Sequence, residues 1–309
     1  FGMGGAPLFS MARGADEPER AERIMGNSFA MLLASGALLA VFCYLFKHPL
    51  LYLFGASDVT YPYANAYISI YLLGTLFVMV SLGMNNFINA QGFGVTGMLT
   101  VSIGALLNLV LDPLFIFVFH MGVRGAATAT ILSQCVSCIW VLHFLTGKKA
   151  IIKLTRKQLH LNFSLIREIS ALGLSGFVMS ITNSSVQIMC NATLQRYGGD
   201  LYVGIMTVIN SVREIITMPV MGITSGAQPI MSFNYGAKKY GRVKSAISFT
   251  AISCIVFTLV MWAFLFFFPH VFIRMFNSDP KLLKEGVPAM HLYFFGIFMM
   301  ALQFAGQST

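Results

Sequence analysis

The sequence predicts an all-α fold, a polytopic membrane helix bundle built from two lobes that are copies of one another. Three observations carry that reading. Apolar residues make up 57 % of the 309-residue chain and charged residues only 10 %, where a soluble domain carries about 25 % charged residues. Mean hydropathy is +0.75. A segment also occurs twice: Gly4-Gly5-Ala6-Pro7-Leu8-Phe9-Ser10, ending in Gly14-Ala15, returns as Gly226-Ala227-Gln228-Pro229-Ile230-Met231-Ser232, ending in Gly236-Ala237. The pairs Arg20/Arg242, His48/His270, Phe54/Phe276, Tyr71/Tyr293 and Gly74/Gly296 keep the same spacing.

A bilayer-crossing helix needs about 20 apolar residues. Such runs fall at 26–46, 63–88, 97–119, 125–145, 168–195, 201–231, 246–273 and 286–309, with 1–11 the inner end of a ninth. The joints are Gly55-Ala56-Ser57-Asp58, Gln91-Gly92-Phe93-Gly94, Tyr197-Gly198-Gly199-Asp200 and Asn277-Ser278-Asp279-Pro280, compositions that punctuate helices. Loops on one side (10–25, 89–97, 146–167, 233–245) hold 13 Lys and Arg, and the opposite set holds 6. By the positive-inside rule the basic set faces the cytoplasm. An even number of helices between the two copies gives both the same orientation, so the repeat is parallel. Six helices per lobe make twelve the expected full length. On that count the first lobe occupies 1–146 without its first helix and most of its second, 147–167 is a cytoplasmic linker, and 168–309 is a second lobe short of its last two helices.

The net charge of +9 is confined to short loops, which makes it a topology signal and excludes a nucleic-acid footprint. The five cysteines lie in apolar spans, and Cys135-x-x-Cys138 has no second Cys or His pair nearby. They read as small buried hydrophobes. No clustered acid–base or metal constellation is visible, so the sequence argues against an enzyme and against a bound cofactor.

Only three charged residues fall well inside spans: Asp112, Arg213 and Glu214. A charge near the bilayer centre costs about 2.5–3.5 kcal/mol, so each needs a polar cavity, a partner or a transport role. Asp112 shares a helix face with Asn108 one turn earlier. Asn85 and Thr130, from neighbouring spans, could converge on them. Oxygens of this kind suit a proton site or a sodium site. Glu214 shares a face with Asn210 and Met218, suiting a cationic substrate or a second proton, while Arg213, about 100° away, need not pair with it. Asn183, Gln187, Asn191 and Gln195 form a four-residue stripe that must face protein or water. It either lines the substrate path or holds helices together. His291, in the last span, is expected to bond within the bundle.

The residues Pro219, Gly222, Gly226, Gln228-Pro229, Ser232 and Asn234-Tyr235-Gly236-Ala237 resemble the multidrug and toxic compound extrusion (MATE) transporters. So do Asn108-x-x-x-Asp112-Pro113 and Gly125-Ala126-Ala127 with Thr130, and so does Tyr197-Gly198-Gly199-Asp200. Within that family the chain looks most like the DinF-like or MepA-like bacterial branch. The resemblance implies a twelve-helix exporter of bulky, often cationic compounds in the bacterial inner membrane, a monomer driven by protons or sodium ions. It also places Asn108 and Asp112 in the ion site of the first lobe. The match has gaps. Ala6 and Ala12-Arg13 stand where the second copy has Gln228 and Asn234-Tyr235. The alternative is a lipid-linked precursor flippase of the wider superfamily, for which one intramembrane Arg is few.

Overall fold

Helix formation starts at Gly2, and among the described residues the computed structural model contains helices but no strand. It describes residues 1–54, 57–276 and 280–307. The side chains of Asn191 and Gln195, and most of the expected joints at 55–58 and 277–280, lie outside the described residues. The helices are α1 Gly2–Gly14, α2 Pro18–Leu45, α3 Lys47–Leu53, α4 Tyr61–Tyr71, α5 Thr75–Ala90, α6 Gly94–Pro113, α7 Val123–Thr146, α8 Phe163–Gly236, α9 Tyr240–Phe267, α10 Pro269–Arg274, α11 Pro280–Phe294 and α12 Ile297–Gln307. Among the described residues six helical segments are long and apolar enough to cross a membrane. The α11–α12 pair, bent by 42°, adds a seventh if counted as one span.

One expected boundary is absent. Residues 168–195 and 201–231 read as two spans, yet α8 runs unbroken through Tyr197-Gly198-Gly199-Asp200. Glycine weakens a helix by about 1 kcal/mol relative to alanine but keeps its backbone donor. Proline removes that donor, and the first proline in α8 is Pro219.

The repeat is visible in the backbone. Helices α2 and α9 are both 28 residues long and begin at the repeat-equivalent Pro18 and Tyr240. Each follows a turn whose middle residue, Asp16 (φ 62°) or Lys238 (φ 57°), is left-handed. In the first turn Ala15 N–H donates to Met11 O (2.9 Å) and Glu17 N–H to Ala12 O (2.9 Å). In the second, Ala237 N–H donates to Phe233 O (3.0 Å) and Lys239 N–H to Asn234 O (2.9 Å). After one linking residue each long helix is followed by a short one, α3 or α10. The next span is then interrupted in both copies, by a 3₁₀ turn at Leu72–Gly74 and by the break before Ile297.

The chain divides into two units, Phe1–Leu174 and Ser175–Thr309. In the first, α1 packs against α2 and α5 around Phe9, Ile24, Met25, Met84 and Phe87, all fully buried. Phe9 and Phe87 meet edge to face at 5.4 Å, a favoured aromatic geometry. In the second unit Ile205, Ile209, Val212 and Ile216 of α8 pack with Leu265, Ile273, Met290 and Phe294. His291 Nε2 lies 3.1 Å from Phe266 O, a bond within the bundle. At the end of the first unit opposite the basic loops, Tyr52 and Tyr61 stack beside His48. The Tyr52 hydroxyl donates to Asp58 Oδ1 (2.8 Å), which raises its pKa above the usual tyrosine value.

The 147–167 linker packs as part of the first unit, with Ala150 and Ile152 in that unit's core and Leu154 packed against it.

Close helix approach in the first unit depends on Gly125, where a Cβ would sit 2.8 Å from the backbone carbonyl of Phe115. Backbone atoms there cannot move aside. Gly125→Val is expected to destabilise by about 1–3 kcal/mol or more, seen as a lower Tm in detergent. Gly222→Ala, with nothing within 4 Å of its Cβ, is expected to leave Tm unchanged or raise it.

Candidate functional site

Helix α6 carries Thr100, Gly104, Asn108 and Asp112 at four-residue spacing, which places them along one face. Asn108 is the junction. Its Nδ2 donates to Asp112 Oδ1 (3.2 Å) one turn on and to Thr130 Oγ1 of α7 (3.4 Å). The Thr130 hydroxyl donates in turn to Ala126 O (3.0 Å). Three of the four residues expected to converge are therefore brought together by one amide bridging two helices. Asp112 is half-buried. Beyond it Pro113 closes α6 and the backbone widens into a π-turn over Leu114–Val118.

Asn108 and Thr130 open onto a cavity of about 180 Å³ between α5, α6 and α7. That is room for water. Its polar lining comes from Ser81 and Asn85 on α5, Thr100 and Asn108 on α6, and Thr130, Ser133, Gln134 and Ser137 on α7. Ser81 Oγ donates to Gln134 Oε1 (2.8 Å) and Ser137 Oγ to Thr100 O (3.1 Å). Gly104 makes room for Ser137, whose Oγ would lie 2.5 Å from a Cβ there.

Asn85 lies in this cavity but does not reach Asp112. Its Nδ2 donates to Gly97 O (3.2 Å) near the start of α6, and its Oδ1 is buried with no hydrogen-bond partner. A buried amide oxygen costs about 1–3 kcal/mol unless something donates to it, so a water or a ligand group is needed there.

Sequence reasoning missed Ser81, Thr100, Ser133, Gln134 and Ser137. The signal was present: Thr130, Ser133, Gln134 and Ser137 stand at helical spacing on α7, and Thr100 continues the Asn108–Asp112 face backwards. Single hydroxyls in apolar helices are inconspicuous because most bond to their own helix, as Ser133 does to Ala129 O (2.8 Å).

The candidates of the second unit are arranged differently. Arg213 Nη2 lies 3.3 Å from Glu214 Oε1, so these neighbours do pair, although adjacency alone did not require it. Their side chains are 31 % and 56 % exposed, which leaves each other's charge as the nearest compensation. Asn183 and Gln187 are exposed on α8, and the side chain of Asn191 lies outside the described residues. Among the described residues no group of three or more His, Cys, Asp or Glu could hold a metal ion.

The MatE family profile matches residues 1–114 and 176–309. The chain belongs to the MatE family. It is thus a multi-pass membrane protein of a transporter family and not an enzyme. It is 25 % identical over 284 residues to the multidrug export protein MepA of Staphylococcus haemolyticus, covering 91 % of this chain and 62 % of that protein. It is 24 % identical over 286 residues to MepA of Staphylococcus aureus, covering 92 % and 62 %. The chain spans less than two thirds of the length of these curated relatives. Among solved structures, the MATE multidrug transporter DinF-BH, solved as a complex, aligns with a TM-score of 0.87 and 35 % identity, over 99 % of this chain and 70 % of that one. A MATE protein in the bent conformation aligns with a TM-score of 0.89 at 22 % identity over the same shares, which speaks for the fold alone.

The bridge through Asn108 has a measurable signature. A double-mutant cycle of Asn108→Ala and Thr130→Val in unfolding experiments should return a coupling of about 0.5–1.5 kcal/mol. Additive effects would mean that the 3.4 Å contact carries no energy.

Proposed function

We propose that the chain forms the greater part of a multidrug efflux antiporter, coupled to H⁺ or Na⁺ and exporting bulky, often cationic organic compounds. The observation that carries this reading is Asp112, tied through Asn108 to Thr130, two residues that line a cavity with hydroxyl and amide groups in its wall inside an apolar bundle. A carboxylate beside amide and hydroxyl oxygens gives a cation hard oxygen ligands, and gives a proton a base with neutral neighbours. Asp112 is the coupling residue, Asn108 and Thr130 its orienting partners, and Asn85 a polar group farther along the same cavity. The printed names of the relatives, multidrug export proteins and a multidrug transporter, support the substrate class.

Coupling requires the cation to bind one conformational state more tightly than the other. Rocking of repeat-related lobes is the expected motion for parallel duplicated halves. Glu214 and Arg213 serve as a paired substrate-facing site, with Asn183, Gln187 and Asn191 as polar lining. The flippase alternative would need an open cationic cavity, and the one intramembrane Arg is paired with Glu214. The transporter acts as a monomer with lipid and organic cations as its partners.

Reconstitution of the complete transporter in vesicles tests this. Efflux of a fluorescent cationic dye should follow an imposed inward proton or sodium gradient, and Asp112→Asn should abolish it while leaving the protein folded. Gradient-driven efflux that survives in the mutant would remove Asp112 from coupling.

A further inference from the structure

The linker between α7 and α8 is built as a surface rather than as a tether. Two buried amides hold its backbone. Gln91, 4 % exposed, accepts at Oε1 from the N–H groups of Ile151 (2.8 Å) and Ile152 (3.1 Å), and donates from Nε2 to Ile152 O (3.2 Å). Asn27, 1 % exposed, donates to His160 O (3.2 Å) and accepts from Asn162 N–H (2.8 Å). Leu154 N–H also donates to Leu145 O (2.9 Å). Buried amides satisfied by a loop's backbone fix that loop in place.

The fixed backbone sorts its side chains by the two-residue period of an extended strand. Ala150 and Ile152 point into the core, while Lys149, Ile151 and Lys153 are exposed. Lys148 and Lys157 are exposed beside them. From Gly147 to Arg167 the sequence contains no acid. Of the acids near the facing turn and first turn of α2, Glu17 pairs with Arg20 (3.3 Å) and Glu19 with Arg23 (3.5 Å), and Glu168 of α8 also pairs with Arg20 (3.3 Å). Glu22 accepts from Gln158 of the segment itself, and among the described residues Asp16 forms no ion pair. Among the described residues Lys148, Lys149, Lys153 and Lys157 form no ion pair. Three large apolar side chains are exposed on the same segment, Ile151 (58 %), Leu161 (61 %) and Phe163 (83 %). The segment joins the ends of two candidate spans, α7 and the start of α8, on the side that the positive-inside rule assigns to the cytoplasm, which puts it at headgroup depth. Unpaired lysines interleaved with apolar residues at that depth match an anionic bilayer surface, where the lysines meet phosphate and the apolar groups enter the acyl boundary.

We infer that the 148–163 segment, clamped by Gln91 and Asn27, is a pre-ordered docking surface for anionic phospholipid headgroups of the inner leaflet. It goes beyond a topology signal, because loose lysines would orient the protein equally well without a clamp. It is also independent of the transport reading, since it concerns lipid and not substrate.

Native mass spectrometry of the complete transporter, titrated with phosphatidylglycerol or phosphatidylcholine, tests the assignment. Wild type should retain phosphatidylglycerol in preference. The variant K148Q/K149Q/K153Q/K157Q should lose most of that preference, by up to about fivefold per neutralised lysine. The corresponding Lys→Arg variant should keep it, which separates lost charge from lost folding. Gln91→Ala keeps every charge but frees the clamp, so it should weaken the preference and speed amide exchange at Ile151 and Ile152. Wild-type preference in the Lys→Gln variant, or no preference in wild type, would overturn the assignment. Protection of the segment by inorganic phosphate alone in phosphatidylcholine nanodiscs would overturn it too, in favour of a soluble anion.

Discussion

In hydrocarbon no water is available to a polar group, so each one must be satisfied inside the protein. Helices meet this demand for the backbone. Many isolated hydroxyls meet it locally: Ser35, Thr128, Thr250 and Thr258 each donate to the carbonyl four residues earlier. The cavity between α5, α6 and α7 departs from this economy. There Ser81 reaches Gln134, Ser137 reaches Thr100, and Asn108 reaches Thr130, all across helices. Asn85 Oδ1 is left without a partner. Interhelical bonds of this kind can hold a bundle together, but an orphaned acceptor beside a roomy polar space does not. It marks a place that expects water, an ion or a ligand.

The same demand explains how the first unit holds the segment between α7 and α8. A segment leaving one membrane helix and entering another exposes backbone donors and acceptors that regular helix would have satisfied. Gln91 and Asn27 supply the missing partners and thereby make the linker part of the unit. Asn162 completes the arrangement by accepting from Ser164 N–H (3.0 Å), as an N-cap does for α8.

Much of this was legible in the sequence because lipid forces simple patterns. Long apolar runs marked most of the spans. The duplicated Gly-Pro-Ser-Gly-Ala segment anticipated two turns that share a left-handed residue even though one is Asp16 and the other Lys238. Asp112 and Asn108 could be picked out because a carboxylate in a span is expensive. What stayed hidden depends on tertiary contact. Nothing local shows that Gln91 will reach Ile151, 60 residues away. Nor does composition show that glycines at 198–199 leave α8 helical. The cavity hydroxyls were masked by the many that serve only their own helix.

The central claim is that a cation at Asp112 and an organic substrate are thermodynamically linked. Linkage is reciprocal, so it can be read from substrate binding alone. The most direct measurement is the Kd of the purified complete transporter for a fluorescent cationic dye as a function of proton and sodium concentration, for wild type and for Asp112→Asn. The account predicts that binding weakens as the coupling cation rises in wild type and that this dependence vanishes in the mutant. An equal dependence in both proteins would contradict it.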